Sequence, residues 1–533
     1  MSQWQTATPQ NDLIFHLEKA IENEEFEVYF QPIIHTISGS LCGFEALVRW
    51  HHPDFGFLAP GQFVGSLEDT KQIYHLDIHV VEKVCQWYAR EKRAGRPVVP
   101  VSVNLSRIDF ESADMFAIIE ALTWKYRMPR NMLNIEITES AFGVEGGILA
   151  GIIEQFRSVG YQVWMDDFGS GYSSLNTLKD YVFDELKIDM GFLSDMNLRS
   201  QRIIASMISM AKDISMVTLV EGVETKEQVD FLRSIGCDRL QGYYFSKPLP
   251  YEELLAVLRE KNIPFESAED RRYYHEINRI NVLSPSPFAV GAYMREQHGG
   301  GIPLALMEKT GKRYTFMYMN DEFSREIKKI GAKDAMDAIQ RLVHFGILSH
   351  ERIDTFLDDV IEKHERSIEF SVNGDLCSAR GKLISVNSGR HAILLSINNI
   401  TQFMNISHDQ LMDQTLKNIY SMYLRVSILR PKTNEIVTVF SQDHHNVATD
   451  VAHDLHGLTR EYASYGVHPE DRDAYLHFVD PATIEARLRN SERGFVNMKI
   501  RTLDEDGGFS NKMYLEVPTG NSEFLLLVRY ANL

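Results

Sequence analysis

Between residues 12 and 262, short apolar runs of strand length alternate with amphipathic stretches of helical period. The run Val98–Leu105 is followed by Met115–Trp124, and Asn134–Thr138 is followed by Ile148–Val159. Strands that alternate with helices in this way predict βαβ units and a mostly parallel sheet. The number of units and the length of this part, about 250 residues, favour a closed (β/α)8-type barrel over an open sheet. The sequence therefore predicts an α/β barrel for residues 12–262.

Seven apolar strands in this half each end on a polar or charged residue. These residues are Glu45, Asn104, Glu136, the pair Asp166 and Asp167, Lys187, Glu221 and Gln241. The carboxyl ends of barrel strands meet on one face, which is where barrel enzymes place their active sites. We therefore expect these side chains to converge on a single site.

Each of these residues also has an ordinary explanation when it is taken alone. A single strand-end glutamate such as Glu45 is commonly a surface residue. Lys187 could simply pair with Asp189, its neighbour two residues along the same strand face. Others could cap the helices that follow them or mark a turn. These ordinary explanations do not account well for the whole series of strand-end residues, because a separate one would have to hold for every residue at once.

The residue types indicate a metal site for phosphoryl chemistry. The five carboxylates of the set with one lysine sum to -5 + 1 = -4 charges, which a partly buried cleft cannot hold without compensation. Carboxylate and amide oxygens are hard ligands that suit Mg²⁺ or Mn²⁺. Two such ions activate water for an in-line displacement at phosphorus. Lys187 then fits as a group that holds or deprotonates the attacking water.

The segment Glu45-Ala46-Leu47-Val48-Arg49 resembles the signature of the EAL family of cyclic di-GMP phosphodiesterases. The resemblance continues, in order and at compatible spacing, through Gln31-Pro32, Asn104-Leu105-Ser106, Glu136-Ile137-Thr138-Glu139, Asp166 to Gly171, Lys187-Ile188-Asp189, Glu221 to Glu224 and Gln241-Gly242. It implies a barrel that hydrolyses cyclic di-GMP to linear pGpG with two Mg²⁺ or Mn²⁺ ions, in bacterial second-messenger signalling.

The resemblance also implies a role for each matching residue. Those that resemble ligands of the first metal are Glu45, Asn104, Glu136 and Asp166, and Asp166 is expected to bridge to a second ion that Asp167 also binds. Lys187 resembles the water-activating lysine, Gln241 the amide that positions this water, and Glu221 a further acidic group at the metal centre. Gln31 and Arg49 resemble substrate contacts.

The segment Phe168–Ser174 follows the aspartate pair and supplies two glycines and three serines. In the family this loop links the metal site to a dimer interface, and Glu139 matches the glutamate that anchors it. The residues expected to couple site and dimer are Glu139, Phe168, Gly169, Ser170, Gly171 and Glu224. The resemblance therefore implies a homodimer.

The second half of the chain has a different pattern. Residues 263–284 are charged and contain Pro264, which predicts a linker with a helix around Glu269–Ile280. Residues 285–405 and 406–533 each place a helical segment before a meander of strands separated by turns. Both resemble α+β PAS-type sensory modules, which implies that they regulate the barrel through an unknown ligand or protein partner.

Composition narrows the classes of function further. The formal net charge of -19 disfavours binding to duplex nucleic acid. The four cysteines lie far apart, which argues against a disulfide framework and suits a reducing cytoplasm. Apolar runs do not approach the roughly 20 residues needed to cross a bilayer, so we expect no membrane insertion.

Two alternatives to an active phosphodiesterase stay open at this point. One is a receptor that binds cyclic di-GMP without hydrolysing it and signals through residues 285–533. The other is a scaffold whose barrel has lost both binding and turnover. A turnover assay separates the first reading from both alternatives.

Overall fold

The computed structural model divides the chain into two units, residues 1–283 and residues 284–533. It describes residues 17–138, 141, 147–169, 174–282, 303–329, 332–344, 347–372, 375–399, 423–441, 450–489, 491, 495–504, 507–518 and 523–531. The predicted barrel lies in the first unit.

Among the described residues of the first unit, eight strands close into a barrel and a ninth extends it as a hairpin. The strands are β1 (Phe26–His35), β2 (Leu41–His52), β3 (Gly56–Leu58), β4 (Val101–Leu105), β5 (Leu133–Thr138), β6 (Gln162–Phe168), β7 (Glu185–Ile188), β8 (Val217–Val220) and β9 (Arg239–Gln241). The order around the barrel is β1-β9-β8-β7-β6-β5-β4-β2, with β2 paired back to β1 and β3 paired to β2. The predicted α/β barrel is thereby confirmed.

One strand departs from a fully parallel (β/α)8 barrel. Strand β1 is antiparallel to both of its neighbours, β2 and β9. The connection from His35 to Leu41 is the reason, because a parallel crossover needs a dozen or more residues. Gly39 instead takes a left-handed conformation with φ of 68° and lets the chain turn straight back.

Helices follow most of the strands and cover the outside of the barrel. They are α1 (Leu17–Glu22), α2 (Val64–Asp69), α3 (Ile73–Arg93), α4 (Arg107–Ser112), α5 (Met115–Tyr126), α6 (Gly147–Ser158), α7 (Ser174–Asp180), α8 (Leu198–Asp213), α9 (Lys226–Ser234), α10 (Tyr251–Glu260) and α11 (Ala268–Asn278). Helix α3 buries Leu76, Val80, Val84 and Trp87. Their spacing matches the 3.6-residue period of an amphipathic helix. Helix α9 begins with a capping box between Thr225 and Gln228.

Helix α11 is the helix that the sequence predicts within a linker, and it packs into the first unit. Its side chains Tyr273, Tyr274 and Ile277 are buried. The Lys212 ammonium of α8 donates to Asp238 Oδ1 at 2.6 Å and to the backbone carbonyl of Asn278 at 2.8 Å. The limits proposed for the linker stay predictions, but the helix within it belongs structurally with the barrel.

A buried histidine joins α11 to the end of β1. The Nε2–H of His35 donates to Asn278 Oδ1 at 3.1 Å, and its Nδ1 accepts from the Ser38 backbone N–H at 3.4 Å. Burial, helped by nearby cations of which Arg239 is the strongest, lowers the pKa of His35 to about 3. The histidine is therefore neutral in the folded barrel at all ordinary pH values.

This depressed pKa predicts a pH dependence of stability. In the unfolded chain the histidine takes up a proton below pH of about 6.5, and the folded barrel resists that proton until about pH 3. Stability should therefore fall as pH falls through this window, by about 2 kcal/mol between pH 7.5 and pH 5. Urea unfolding at both pH values measures this fall. It should shrink in His35→Gln and persist in His51→Gln, whose histidine is exposed; an equal fall in both variants would contradict the assignment.

In the described part of the second unit, the strands form two antiparallel sheets. The first contains β10 (Leu304–Thr310), β11 (Arg313–Met319), β12 (Glu365–Val372), β13 (Asp375–Asn387) and β14 (Arg390–Asn399), in the order β11-β10-β14-β13-β12. Its helices are α12 (Asp321–Lys329), α13 (Ala335–His344) and α14 (His350–Lys363), all between β11 and β12.

The second sheet repeats this arrangement with one extra edge strand. It contains β15 (Arg425–Arg430), β16 (Glu435–Ser441), β17 (Asp450–His453), β18 (Val496–Leu503), β19 (Phe509–Pro518) and β20 (Phe524–Tyr530), in the order β17-β16-β15-β20-β19-β18. Helices α15 (Leu455–Tyr465), α16 (Arg472–Phe478) and α17 (Ile484–Arg489) precede its final meander. The predicted topological repeat of helical segment and three-strand meander is confirmed.

A buried ion pair connects the two sheets of the second unit. Arg529 of β20 donates from Nε to one oxygen of Glu369 at 3.1 Å and from Nη2 to the other at 3.2 Å. Both side chains are buried, so each charge depends on the other for compensation. Of the helices that the structure describes in either unit, none is long and apolar enough to cross a membrane.

Candidate active site

The pairing of neighbouring strands brings the predicted site residues together at one end of the barrel. Asn104 on β4 lies opposite Glu136 on β5, and Asp166 on β6 lies opposite Thr138. Glu45 is not at a strand end, since β2 continues beyond it into the hairpin with β3. It reaches the same site because it pairs with Gln31 of the antiparallel β1.

Lys187 of β7 lies at the centre of the site. Its ammonium nitrogen is 2.7 Å from Glu136 Oε2, 2.7 Å from Glu221 Oε1 and 2.9 Å from Asp166 Oδ1. A fourth carboxylate, that of Glu45, is 3.7 Å away. Burial opposes the charged form of the lysine, but the surrounding carboxylates, Asp166 first, outweigh it and raise the pKa of Lys187 well above its usual range. Lys187 is therefore a buried cation.

Two amides hold the Glu45 carboxylate between them. Asn104 Nδ2 donates to Glu45 Oε1 at 3.0 Å, and Gln241 Nε2 donates to Glu45 Oε2 at 2.5 Å. Gln241 Nε2 also lies 3.1 Å from Gln31 Oε1. This network fixes Glu45 in one orientation beside Lys187.

The aspartate pair and Glu221 form the acidic cluster at the mouth of the site. One carboxylate oxygen from each of Asp166, Asp167 and Glu221 lies within 4.8 Å of the others. Asp167 adopts a left-handed φ of 56°, and its backbone N–H donates to Asp166 Oδ1 at 2.9 Å. Such a conformation costs a non-glycine residue free energy, so the surrounding structure must hold it in place.

Three carboxylates of this site, those of Glu136, Asp167 and Glu221, have raised pKa values. Burial raises the pKa of Asp167 to about 6, and the neighbouring Asp166 adds to this shift. Burial also raises the pKa of Glu221 to about 8, although Lys187 acts in the opposite direction. Glu136 is buried completely, and burial raises its pKa well above the usual range despite the contact with Lys187. One lysine is therefore too little positive charge for this group of carboxylates.

Two buried oxygens of the site have no hydrogen-bond partner among the described residues. They are Glu136 Oε1 and Gln241 Oε1. A buried acceptor without a donor is costly unless another group satisfies it. Together with the excess of carboxylates, these oxygens form a donor set that fits hard divalent cations.

Part of the first unit matches a known domain family. Residues 16–248 match the family model of the EAL domain. This segment is an EAL domain. The bifunctional diguanylate cyclase/cyclic di-GMP phosphodiesterase MucR of Pseudomonas aeruginosa is 32% identical over 252 residues, and the cyclic di-GMP phosphodiesterase NbdA of the same organism is 33% identical over 255 residues. An uncharacterized protein of Synechocystis is 36% identical over 248 residues.

These matches cover between 46% and 48% of this chain and between 33% and 37% of the relatives' lengths. The chain therefore spans only about a third of the curated relatives that it matches. A solved structure of the Pseudomonas MucR phosphodiesterase in complex with c-di-GMP is 31% identical, with a TM-score of 0.43, and the match covers 46% of this chain and 99% of that one.

The predicted substrate contacts of the EAL domain occupy different environments. Gln31 is buried, and its amide is engaged by Gln241 and by the Ser246 carbonyl, 3.5 Å from its Nε2. Arg49 is only partly buried and lies over the Tyr29 ring, 5.5 Å from its centroid. Arg49 can therefore meet a substrate directly, whereas Gln31 is part of the wall that holds Glu45.

The loop after the aspartate pair is described only in part. Phe168 is buried, and Gly169 has a φ of 96°. The Phe192 ring packs against Gly169 so closely that a Cβ at this position would lie 2.5 Å from Phe192 Cε2. Glu139, Ser170 and Gly171 lie outside the described residues, so their predicted coupling role stays a prediction. Glu224 is exposed, and its backbone N–H donates to Gln228 Oε1 at 2.8 Å.

Sequence reasoning missed a group of aromatic residues beside Arg49. The Tyr29 and Phe57 rings lie with centroids 6.1 Å apart, and Phe57 is 52% exposed. Tyr243, two residues after Gln241, is 53% exposed and lies under the Lys247 ammonium at 5.1 Å. Tyr29 could have been found from the strand period of two, because it shares the face of β1 that carries Gln31.

Proposed function

We propose that the EAL domain of this chain hydrolyses one phosphodiester bond of cyclic di-GMP to give linear pGpG. The observation that carries the proposal is the buried Lys187, which contacts three carboxylates at 2.7 to 2.9 Å inside an acidic site. A binding site for a phosphate ester would not otherwise gather carboxylates, since these repel the ligand.

Divalent cations resolve that repulsion. We assign Glu45, Asn104, Glu136 and Asp166 to one Mg²⁺ or Mn²⁺ ion, and Asp166 with Asp167 to a second. When bound, such a pair supplies an activated water and stabilises the attacking and leaving oxygens of an in-line displacement. Glu136 Oε1, which has no hydrogen-bond partner among the described residues, supports this assignment. Glu221 completes the acidic side of the site through its contact with Lys187.

Lys187 and Gln241 act on the water that attacks phosphorus. The Lys187 donors are occupied by carboxylates, and neutralisation of these carboxylates makes an N–H of Lys187 available to a water. Gln241 Oε1, which has no partner among the described residues, accepts a hydrogen bond from the same water. The two groups together orient the water for attack, Lys187 as a hydrogen-bond donor and Gln241 as an acceptor.

Arg49 and the aromatic residues give the site its substrate class. The Arg49 guanidinium can pair with a phosphate oxygen, and it lies over Tyr29 beside the exposed Phe57. Exposed aromatic rings next to an arginine offer a stacking surface for a flat purine base. A phosphodiester that carries purine bases fits this combination better than a simple phosphate ester.

This stacking surface predicts a change in KM. Phe57→Ala should raise KM for cyclic di-GMP about tenfold, the effect of losing about 1.4 kcal/mol of stacking, with kcat changed by less than about twofold. Steady-state kinetics of pGpG formation measure both constants. Phe55→Ala is the matched control, because Phe55 is also exposed but stacks on His52 instead. Equal KM values in wild type and Phe57→Ala would remove Phe57 from the substrate site.

We further propose that the chain forms a homodimer through the loop Phe168–Ser174 and that residues 285–533 regulate the EAL domain as two PAS-like modules. The sheet order β11-β10-β14-β13-β12, with its helices between β11 and β12, supports the PAS assignment. Comparison of residues 1–283 with the full chain, in rate and in oligomeric state, tests the regulation. The shorter protein must extend to residue 283, because a cut at residue 262 would remove α11 and its buried tyrosines. Identical behaviour of the two proteins would oppose regulation.

The test of the proposed activity is a turnover assay with the full chain, cyclic di-GMP and Mg²⁺. We expect pGpG to accumulate, and we expect Glu45→Ala to abolish it because that variant removes the carboxylate that Asn104 and Gln241 hold. If the wild-type protein formed no more pGpG than the Glu45→Ala control, the proposal would be contradicted. Tight binding of cyclic di-GMP without metal, unaffected by Lys187→Ala, would indicate a receptor instead.

A further inference from the structure

A cavity of about 110 Å³ lies inside the first sheet module of the second unit. It lies between the inner face of the sheet and helices α12 to α14, and its wall includes Phe316 and Leu395 of the sheet with Leu342 and Leu357 of the helices. Almost all of the wall is apolar. The charged pair Glu326 and Lys329 borders the cavity, and its two groups bond to each other at 2.7 Å.

Small side chains create this space. Ala335 and Ala338 line it from one face of α13, one helical turn apart, and Ala379 lines it from β13. Folded proteins contain few voids larger than a water molecule, since an empty void removes contacts and lowers stability. Larger aliphatic side chains at these positions would extend into the space, so we attribute the cavity to these three alanines.

We propose that this cavity binds a small, uncharged, apolar molecule of about the size of benzene. A cavity of roughly 150 Å³ with leucine, isoleucine and phenylalanine walls stays dry and accepts benzene or xenon. An apolar wall cannot satisfy a charged ligand, because an unpaired charge in such a site is strongly disfavoured. The space is also well below the roughly 300 Å³ at which pockets for larger organic ligands begin, which excludes a haem or a flavin as occupant.

Cys377 provides a direct readout, because it lines the cavity and is the single cysteine after residue 284. The thiol is buried, so N-ethylmaleimide reaches it only when the module opens. A ligand that binds the closed state slows alkylation by a factor of 1 + [L]/Kd. We expect toluene at ten times its Kd to slow alkylation of Cys377 in the full chain about elevenfold, as measured by mass spectrometry of the Cys377 peptide. Benzoate, which has the same ring and a charge, should have no effect.

Variants that fill the cavity complete the test. Ala338→Leu and Ala379→Val should each abolish the toluene effect while the unfolding temperature of the module rises or stays unchanged. Met336→Leu is the control, since Met336 belongs to the same helix and is 39% exposed; it should keep the full effect. An unchanged alkylation rate in saturating toluene, equal protection by benzoate, or toluene protection that survives in both filled variants would each overturn the proposal.

Discussion

Lys187→Met is expected to lower kcat for cyclic di-GMP hydrolysis by at least about a thousandfold, which corresponds to about 4 kcal/mol of transition-state stabilisation. Methionine keeps the length of the side chain but offers no hydrogen-bond donor. The Lys187 ammonium contacts Glu136, Asp166 and Glu221 in a fully buried position, so its loss removes the hydrogen-bond donor that all three carboxylates share. Quantification of pGpG by chromatography under saturating substrate and Mg²⁺ measures the effect.

Lys212→Met separates this chemical role from a structural one. Lys212 is also buried and pairs with Asp238 at 2.6 Å, but it belongs to the network around α11. Its loss should lower the unfolding temperature and leave kcat of the remaining folded protein within about threefold of wild type, because it touches none of the site carboxylates. If both variants lost kcat to the same extent, the role assigned to Lys187 would fail.

Removal of divalent cations is expected to lower activity about as much as Lys187→Met does. It should also lower the stability of the folded protein. The site holds five carboxylates and one lysine, and burial raises the pKa of Glu136, Asp167 and Glu221. Cations that bind only the folded site stabilise it, by about 2.7 kcal/mol at 100 times their Kd. Chelator-treated protein should therefore be inactive, and its unfolding temperature should rise with added Mg²⁺ until the site is saturated.

Asp167→Asn tests whether this stabilisation arises at the proposed site. The variant removes one carboxylate of the cluster that Asp166, Asp167 and Glu221 form, and it should reduce both the Mg²⁺-dependent rise in unfolding temperature and the restored activity. Asp230→Asn is the control for cations that bind elsewhere on an acidic surface, since Asp230 is exposed and pairs with Lys226. A rise in unfolding temperature that is identical in the two variants would contradict the metal assignment.

Much of the site could be predicted because parallel strands convert sequence spacing into spatial proximity. Asn104 and Glu136 fall in register on adjacent strands, so residues at strand ends had to converge once a barrel was inferred. The ordinary explanation for Lys187, a pair with Asp189, is wrong. Asp189 instead accepts from the Gly191 backbone N–H at 2.8 Å, and Lys187 points into the carboxylates.

Other features of the EAL domain could not be predicted because they depend on the antiparallel first strand. The pairing of Gln31 with Glu45 and the contact of Gln31 with Gln241 arise only when β1 closes the barrel in the reverse direction. The same reversal brings the start of β1, with Tyr29, to the mouth of the site beside Arg49. The alternation of strands and helices carries no information on the direction of a single strand.

In the second unit, turns and strand patterns predicted the meanders, but the interior could not be predicted. The strands on either side of residues 373–374 and 388–389 follow from turn signals in the sequence. The cavity depends on how the volumes of Ala338, Ala379 and their neighbours add up between a helix and a sheet distant in sequence. The ion pair between Glu369 and Arg529 likewise joins residues 160 positions apart.

Hydrolysis of cyclic di-GMP in water enriched in ¹⁸O tests the central claim most directly. The full chain would be incubated with Mg²⁺ and substrate, and the product would be analysed by mass spectrometry. If water activated beside Lys187 attacks phosphorus, pGpG should carry one ¹⁸O atom in its terminal phosphate, and its formation should slow by at least about a thousandfold in Lys187→Met. Recovery of unchanged cyclic di-GMP, or of pGpG without the heavy oxygen, would contradict this account of the site.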